Sequence, residues 1–117
     1  MARLSTHVLD VSRGVAAADI MIELHAIEAG DRRPILQVTT NAEGRTDAPL
    51  LAGDRIEPGI YELTFHAGDY FRRAGVTLAD PAFLDHVVVR FGIADATGHY
   101  HVPLLLSPYG YSTYRGT

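Results

Sequence analysis

A chain of 117 residues with 47% hydrophobic and 21% charged side chains has the size and make-up of a single domain spanning residues 1–117. Its net charge of −4 argues against a nucleic-acid partner, and no apolar run nears the roughly 20 residues of a membrane helix, so no membrane contact is expected. The absence of cysteine excludes disulfides, thiolate zinc sites and cysteine nucleophiles, and "MARLSTHVLD" lacks an apolar signal core, so a cytoplasmic protein is expected.

A period of two dominates the hydrophobic pattern, as in half-buried strands. Leu4, Thr6 and Val8 alternate with Ser5, His7 and Leu9 in the first run. In the second, Ile20, Ile22, Leu24 and Ala26 share a face, with Glu23 and His25 opposite. "RRPILQVTT" predicts an edge strand, because Pro34 cannot donate to a ladder. "IYELTFHA" points Tyr61, Leu63 and Phe65 inward and Glu62, Thr64 and His66 outward. "AGDYFRRAG" breaks the pattern and predicts one helix of about two turns, with Asp69 as N-cap and Gly75 as C′ residue. "HVVVRFGI" turns Val87, Val89, Phe91 and Ile93 inward, and "ADATGH" predicts a hairpin from that strand into one starting near His99. "HYHVPLLLS" and "YGYSTYRG" supply the last two strands. Seven or eight short strands separated by turn signals such as "EAGD", "NAEGR" and "EPG" describe an all-β sandwich.

Alternation also sorts the chemistry. Tyr100, Val102, Leu104 and Leu106 form a core face, which leaves His99, His101, Pro103 and Leu105 on the other. In the last strand Ser112, Tyr114 and Gly116 oppose Tyr111, Thr113 and Arg115. Outward faces that mix apolar and ionisable groups suit a subunit interface, where a neighbour could wall off a site. The closing stretch "GHYHVPLLLSPYGYSTYRGT" concentrates histidine, tyrosine and arginine where domain ends are usually polar and frayed, which points to a site there.

Three motifs together carry a resemblance: "STHVLD" near the start, "TNAEGR" at 40–45, and "HYHVPLLLSPYGYSTYRGT" at the end. Their order and spacing resemble 5-hydroxyisourate hydrolases, the enzyme branch of the transthyretin-like family. "LSPYGYST" is similar in form to the hormone carriers of that family, whereas "HVP" followed by "YRG" and a hydroxyl residue resembles the hydrolases. The resemblance implies a transthyretin-like sandwich of two four-stranded sheets with one short helix. It also implies a homotetramer, a dimer of dimers with its sites at the dimer–dimer interface. By position in the motifs it implies catalytic His7, Arg45 and His101. Substrate-binding residues would be His7, Arg45, Tyr114, Arg115, Gly116 and Thr117, the last a threonine where the family usually has serine.

The implied substrate is 5-hydroxyisourate, whose lactam is opened by water to 2-oxo-4-hydroxy-4-carboxy-5-ureidoimidazoline. No cofactor is implied, since the substrate is already reactive. Water needs a base, and histidine titrates near working pH, so His7 or His101 would take the proton. Arginine's planar fork matches a carbonyl-rich, anionic ring and would stabilise the oxyanion, which assigns that task to Arg45. Tyr114 and Thr117 would line the pocket, while alternation turns Arg115 away from Tyr114 to anchor the chain end. His99 and His101 also have the spacing of a strand metal pair. No cysteine or carboxylate stands nearby with ligand spacing, so no metal is expected. His25, His66 and His86 read as structural, and Tyr100, Tyr109 and Tyr111 as packing or interface residues. A small-ligand carrier is the alternative function; its channel should be mainly apolar, unlike the ionisable set here.

Overall fold

The computed structural model describes residues 2–116. In chain order the elements are β1 (Arg3–Asp10), β2 (Val15–Ala16), β3 (Met21–Glu28), β4 (Asp31–Thr39), β5 (Leu51–Ala52), β6 (Gly59–Phe65), α1 (Ala67–Arg73), β7 (Val87–Ile93), β8 (His99–Ser107) and β9 (Gly110–Thr113). One sheet has the order β2-β1-β8-β9, with β5 also paired to β1; the other has the order β4-β3-β6-β7. The expected pair of sheets is present, and the two-residue strand β5 gives the first a fifth member. The helix α1 is not long and apolar enough to cross a membrane.

The core lies between the sheets and follows the alternation. Leu4, Val8, Ile22, Leu24, Leu63, Phe65, Leu104 and Leu106 are all fully buried. Burial of such side chains at about 25 cal/mol per Å² of apolar area is the main stabilising term. Pro34 sits on the edge strand β4, paired with His25 where the β3–β4 register shifts, an edge and bulge position that suits proline. Gly75 follows α1 with φ +87°, a left-handed C′ position as the sequence predicts.

Three expectations are corrected. Asp69 lies inside the first turn of α1, and the N-cap is His66. Glu62 and Thr64 face away from the core yet are buried, because Arg32 and Arg90 lie over that sheet and both donate to the Glu62 carboxylate, each Nε at 3.0 Å. An outward position is therefore not always a wet one, since long guanidinium stems can cover it. Finally, "ADATGH" closes no hairpin. β7 ends one sheet and β8 belongs to the other, so the turn is an arch across the sandwich. Its geometry is set locally: Thr97 donates through N–H and hydroxyl to Asp95 Oδ1 (2.9 and 2.7 Å), and the Tyr100 hydroxyl accepts from the N–H groups of Ala94 and Asp95.

The arch decides where the chemistry goes. It delivers β8 parallel to β1, with Arg3 opposite His99, Ser5 opposite His101 and His7 opposite Pro103. Two segments more than ninety residues apart in the chain thus share one ladder. Asp10, fully buried at the end of β1, locks this strand to the helix: it accepts from Ser12, from Arg13 Nε (2.9 Å) and from the Tyr70 hydroxyl of α1 (2.8 Å).

Candidate active site

The outward face of the β1/β8 pair carries Arg3, Ser5 and His7 on one strand and His99 and His101 on its neighbour. The loop of residues 40–45 brings Arg45 to the same place. Thr40 is buried, its hydroxyl donating to the Ala17 carbonyl (2.6 Å) and accepting from the Ile20 N–H. Asn41 then closes the turn, its Oδ1 accepting from the N–H groups of Glu43 (2.9 Å) and Arg45 (3.2 Å). Gly44 stands at φ +75° and its carbonyl accepts from the Val8 N–H at 2.8 Å, which seats the turn against β1. A Cβ at Gly44 would collide with the Val8 carbonyl oxygen, so only glycine fits. His7 and Arg45 consequently meet in a backbone bridge.

An open hollow of about 330 Å³ is lined by Arg3, Ser5, Arg45, His99, Tyr100 and His101. Arg3, Ser5 and Arg45 also border an adjoining hollow of about 230 Å³ beneath residues 46–49. Among the described residues neither Arg3 nor Arg45 pairs with a carboxylate, whereas Arg13, Arg32, Arg33, Arg72 and Arg90 all do. Two free guanidiniums facing one concavity make it attractive to an anion.

The two imidazoles differ. His101 is half-buried, and its Nδ1 lies 2.8 Å from the Ser5 hydroxyl. Burial first, then the positive charges of Arg45, His7 and Arg3, hold its pKa below the ordinary 6.5, so its neutral, basic form is favoured. His7 Nε2 lies 2.8 Å from the Glu43 carbonyl oxygen. A carbonyl can only accept, so Nε2 carries a proton, and in the neutral ring Nδ1 is the free lone pair. His7 stands beside the hollow, two residues beyond Ser5, and does not line it.

The remaining predicted residues separate. The 116 N–H donates to the His101 carbonyl (2.8 Å), and Gly116 passes so close to the ring that an added Cβ would lie 2.7 Å from His101 Cδ2. Tyr114 is 59% exposed and lies outside the hollow. Arg115 also lies outside the hollow, bordering another one together with Tyr114: its guanidinium donates to the His99 carbonyl (3.1 Å) and lies over the Tyr100 ring at 4.2 Å. Thr117 lies outside the described residues. Arg3 and Ser5 were missed by sequence reasoning, although the alternation that turns His7 outward turns them outward too. His25 and His66 lie at the other sheet, where His66 Nε2 meets the Glu23 carboxylate at 2.5 Å and the His66 ring lies 4.2 Å from that of His86, tilted by 40°. Among the described residues no group of three histidine or carboxylate side chains is placed to hold a metal ion.

The fold is an all-β sandwich that gathers two imidazoles and, among the described residues, two guanidiniums without a carboxylate partner at one outer sheet face and its adjoining loop, a set suited to acid–base chemistry on an anion. The chain belongs to the HIUase/Transthyretin family, whose model matches residues 4–116. It is 61% identical over 115 residues to 5-hydroxyisourate hydrolase 2 of Rhizobium meliloti, covering 98% of this chain and 96% of that protein. The solved structure of Klebsiella pneumoniae 5-hydroxyisourate hydrolase superposes with a TM-score of 0.82 at 35% identity, covering both chains in full. (S)-allantoin synthase superposes with a TM-score of 0.93 at 39% identity over 99% of this chain; the chain spans 44% of that protein's length.

Proposed function

We propose that the chain, acting as one domain over residues 1–117, hydrolyses 5-hydroxyisourate to 2-oxo-4-hydroxy-4-carboxy-5-ureidoimidazoline without a cofactor. Convergence of Arg45 and His101 on one hollow carries this reading, and the hydrolase relatives support it over a carrier. A carrier's channel would be mainly apolar, and this hollow is lined by guanidinium, imidazole and hydroxyl groups.

His101 is the general base. Water attacks the lactam carbonyl carbon while His101 takes one of its protons, and the carbonyl oxygen becomes an oxyanion. Arg45 binds the ring edge and stabilises that oxyanion, a contribution of roughly 3–4 kcal/mol for a well-placed donor in an enclosed site. The carbon–nitrogen bond then breaks and the imidazolium of His101 returns its proton to the departing nitrogen. His7 offers Nδ1 as an acceptor that orients the attacking water. Arg3 adds a second positive charge for the anionic ring. Gly116 leaves room for the base, Arg115 anchors its stretch through His99 and Tyr100, and Tyr114 and Thr117 contact substrate once a neighbouring subunit covers the face. The working form is a homotetramer, a dimer of dimers, in the cytoplasm.

The test is the decay of 5-hydroxyisourate generated in situ from urate by urate oxidase. The chain should accelerate it, and His101→Asn should lower kcat about a hundredfold, the usual worth of acid–base help. Decay at the uncatalysed rate overturns the reading and favours a carrier. Wild-type turnover in His101→Asn removes that residue from the mechanism.

A further inference from the structure

Among the described residues no carboxylate stands behind His101. The group within hydrogen-bonding reach of His101 Nδ1 is the Ser5 hydroxyl at 2.8 Å. Ser5 and His101 are direct register partners across the parallel β1–β8 ladder, so the contact is built into the sheet. On its other side the ring is bounded at Cδ2 by the close passage of Gly116. The imidazole is thus held at Nδ1 by a hydroxyl and at Cδ2 by backbone, and Nε2 is its remaining polar atom.

A hydroxyl can donate or accept, so the contact alone allows either neutral tautomer. Catalysis discriminates between them. If Ser5 donates, Nε2 carries the proton and cannot act as base. If Ser5 accepts from Nδ1–H, Nε2 keeps its lone pair. The accepting arrangement also survives the reaction, since Nδ1 still holds a proton when Nε2 gains one, and the hydroxyl need not turn.

We propose that Ser5 is a positioning residue that accepts the Nδ1 proton of His101 and so fixes Nε2 as the base nitrogen. The proposal rests on the assignment of His101 as base and deepens it. A serine here does what a carboxylate often does behind a catalytic histidine, namely selecting the tautomer, without adding a negative charge. A carboxylate would raise the histidine's basicity and pair with Arg3 or Arg45 in the same hollow, cancelling charge meant for the substrate.

The experiment compares Ser5→Ala and Ser5→Thr by kcat, KM and the pH profile, and reads the His101 tautomer by ¹⁵N NMR of imidazole-labelled protein. Ser5→Ala should lower kcat roughly 10- to 100-fold with KM within about twofold, as expected for a misaligned reacting group. Ser5→Thr should restore kcat to within about threefold. Wild-type His101 should show one tautomer protonated at Nδ1, and Ser5→Ala a mixture. Wild-type kcat in Ser5→Ala, failure of Ser5→Thr to rescue, or an Nε2-protonated wild-type ring would each overturn the proposal. Failure of the underlying reading looks different: full turnover in His101→Asn, or no turnover in the wild-type chain.

Discussion

At the scale of single residues, the depressed basicity of His101 has a kinetic signature. A base works only when deprotonated, so the acid limb of kcat/KM falls where the base gains its proton. Because burial and then the charges of Arg45, His7 and Arg3 lower this pKa, the limb should lie below 6.5. Arg3→Gln removes one of those charges without touching the catalytic atoms, so the limb should move upward. KM should rise at least severalfold, since a second guanidinium no longer meets the anionic ring. A pH–rate profile of both forms checks this; a limb that stays put, or moves down, contradicts the electrostatic assignment. Arg3 and Ser5 were in principle legible, since they sit at i−4 and i−2 from His7 on an alternating strand. Composition and motif drew attention to imidazoles, and the role of a serine or an arginine emerges only when the partner strand is known. The choice between His7 and His101 was not legible at all. The proposed preference for His101 turns on position: His101 lines the hollow and His7 stands beside it.

At the scale of elements, the loop of residues 40–45 transmits fold to site. Its turn is held by Asn41, and its glycine lies in the left-handed region against the Val8 carbonyl. Gly44→Ala should therefore cost about 1–3 kcal/mol of stability through backbone strain and should displace Arg45. Urea unfolding should show the loss, and KM should rise because Arg45 leaves the hollow. Unchanged stability and KM would mean that the turn relaxes freely. Asp10 is the corresponding clamp at the far end of β1. Burial raises its pKa, but hydrogen bonds from Ser12, Arg13 and Tyr70 outweigh that and leave it below 3.8. The stability it contributes is present above the unfolded value and lost as pH falls through the folded one. Asp10→Asn should destabilise by about 3 kcal/mol at neutral pH, as for a broken buried pair, and this difference should shrink under acid unfolding conditions. The longer strands, their inward faces, the edge position of β4 and the lone helix were legible from period, Pro34 and Gly75, whereas the two-residue strands β2 and β5 and the N-cap at His66 were not. The arch at residues 94–98 was not, because the same turn residues close a hairpin or span two sheets, and only packing of Tyr100 against the turn decides.

At the scale of the whole molecule, the proposal is that a neighbouring copy finishes the site. The hollow is open on the side away from β1 and β8, so water screens Arg45 and lowers the worth of its charge. The same outer face carries half-buried Leu9 and Leu105, while Tyr114, 59% exposed, borders a separate hollow with Val89, Phe91 and Val102. Phe83 and Tyr109, 72% and 69% exposed with rings 6.1 Å apart, offer further apolar contact area on the surface. Outward apolar side chains on the sheet face that carries the polar concavity fit the proposal that a second copy of the chain completes the site. If assembly closes the hollow, activity and association must fail together. Leu105→Glu tests this without entering the catalytic set, because its side chain points away from the core and the fold need not bury the charge. Light scattering of the wild type should give four times the 12.7 kDa protomer mass. The variant should keep its circular dichroism, lose mass to dimer or monomer, and lose at least tenfold in kcat, as expected when a preorganised electrostatic site is opened to solvent. A monomeric wild type at full activity, or a dissociated variant turning over at the wild-type rate, would show that one sandwich face suffices for the chemistry.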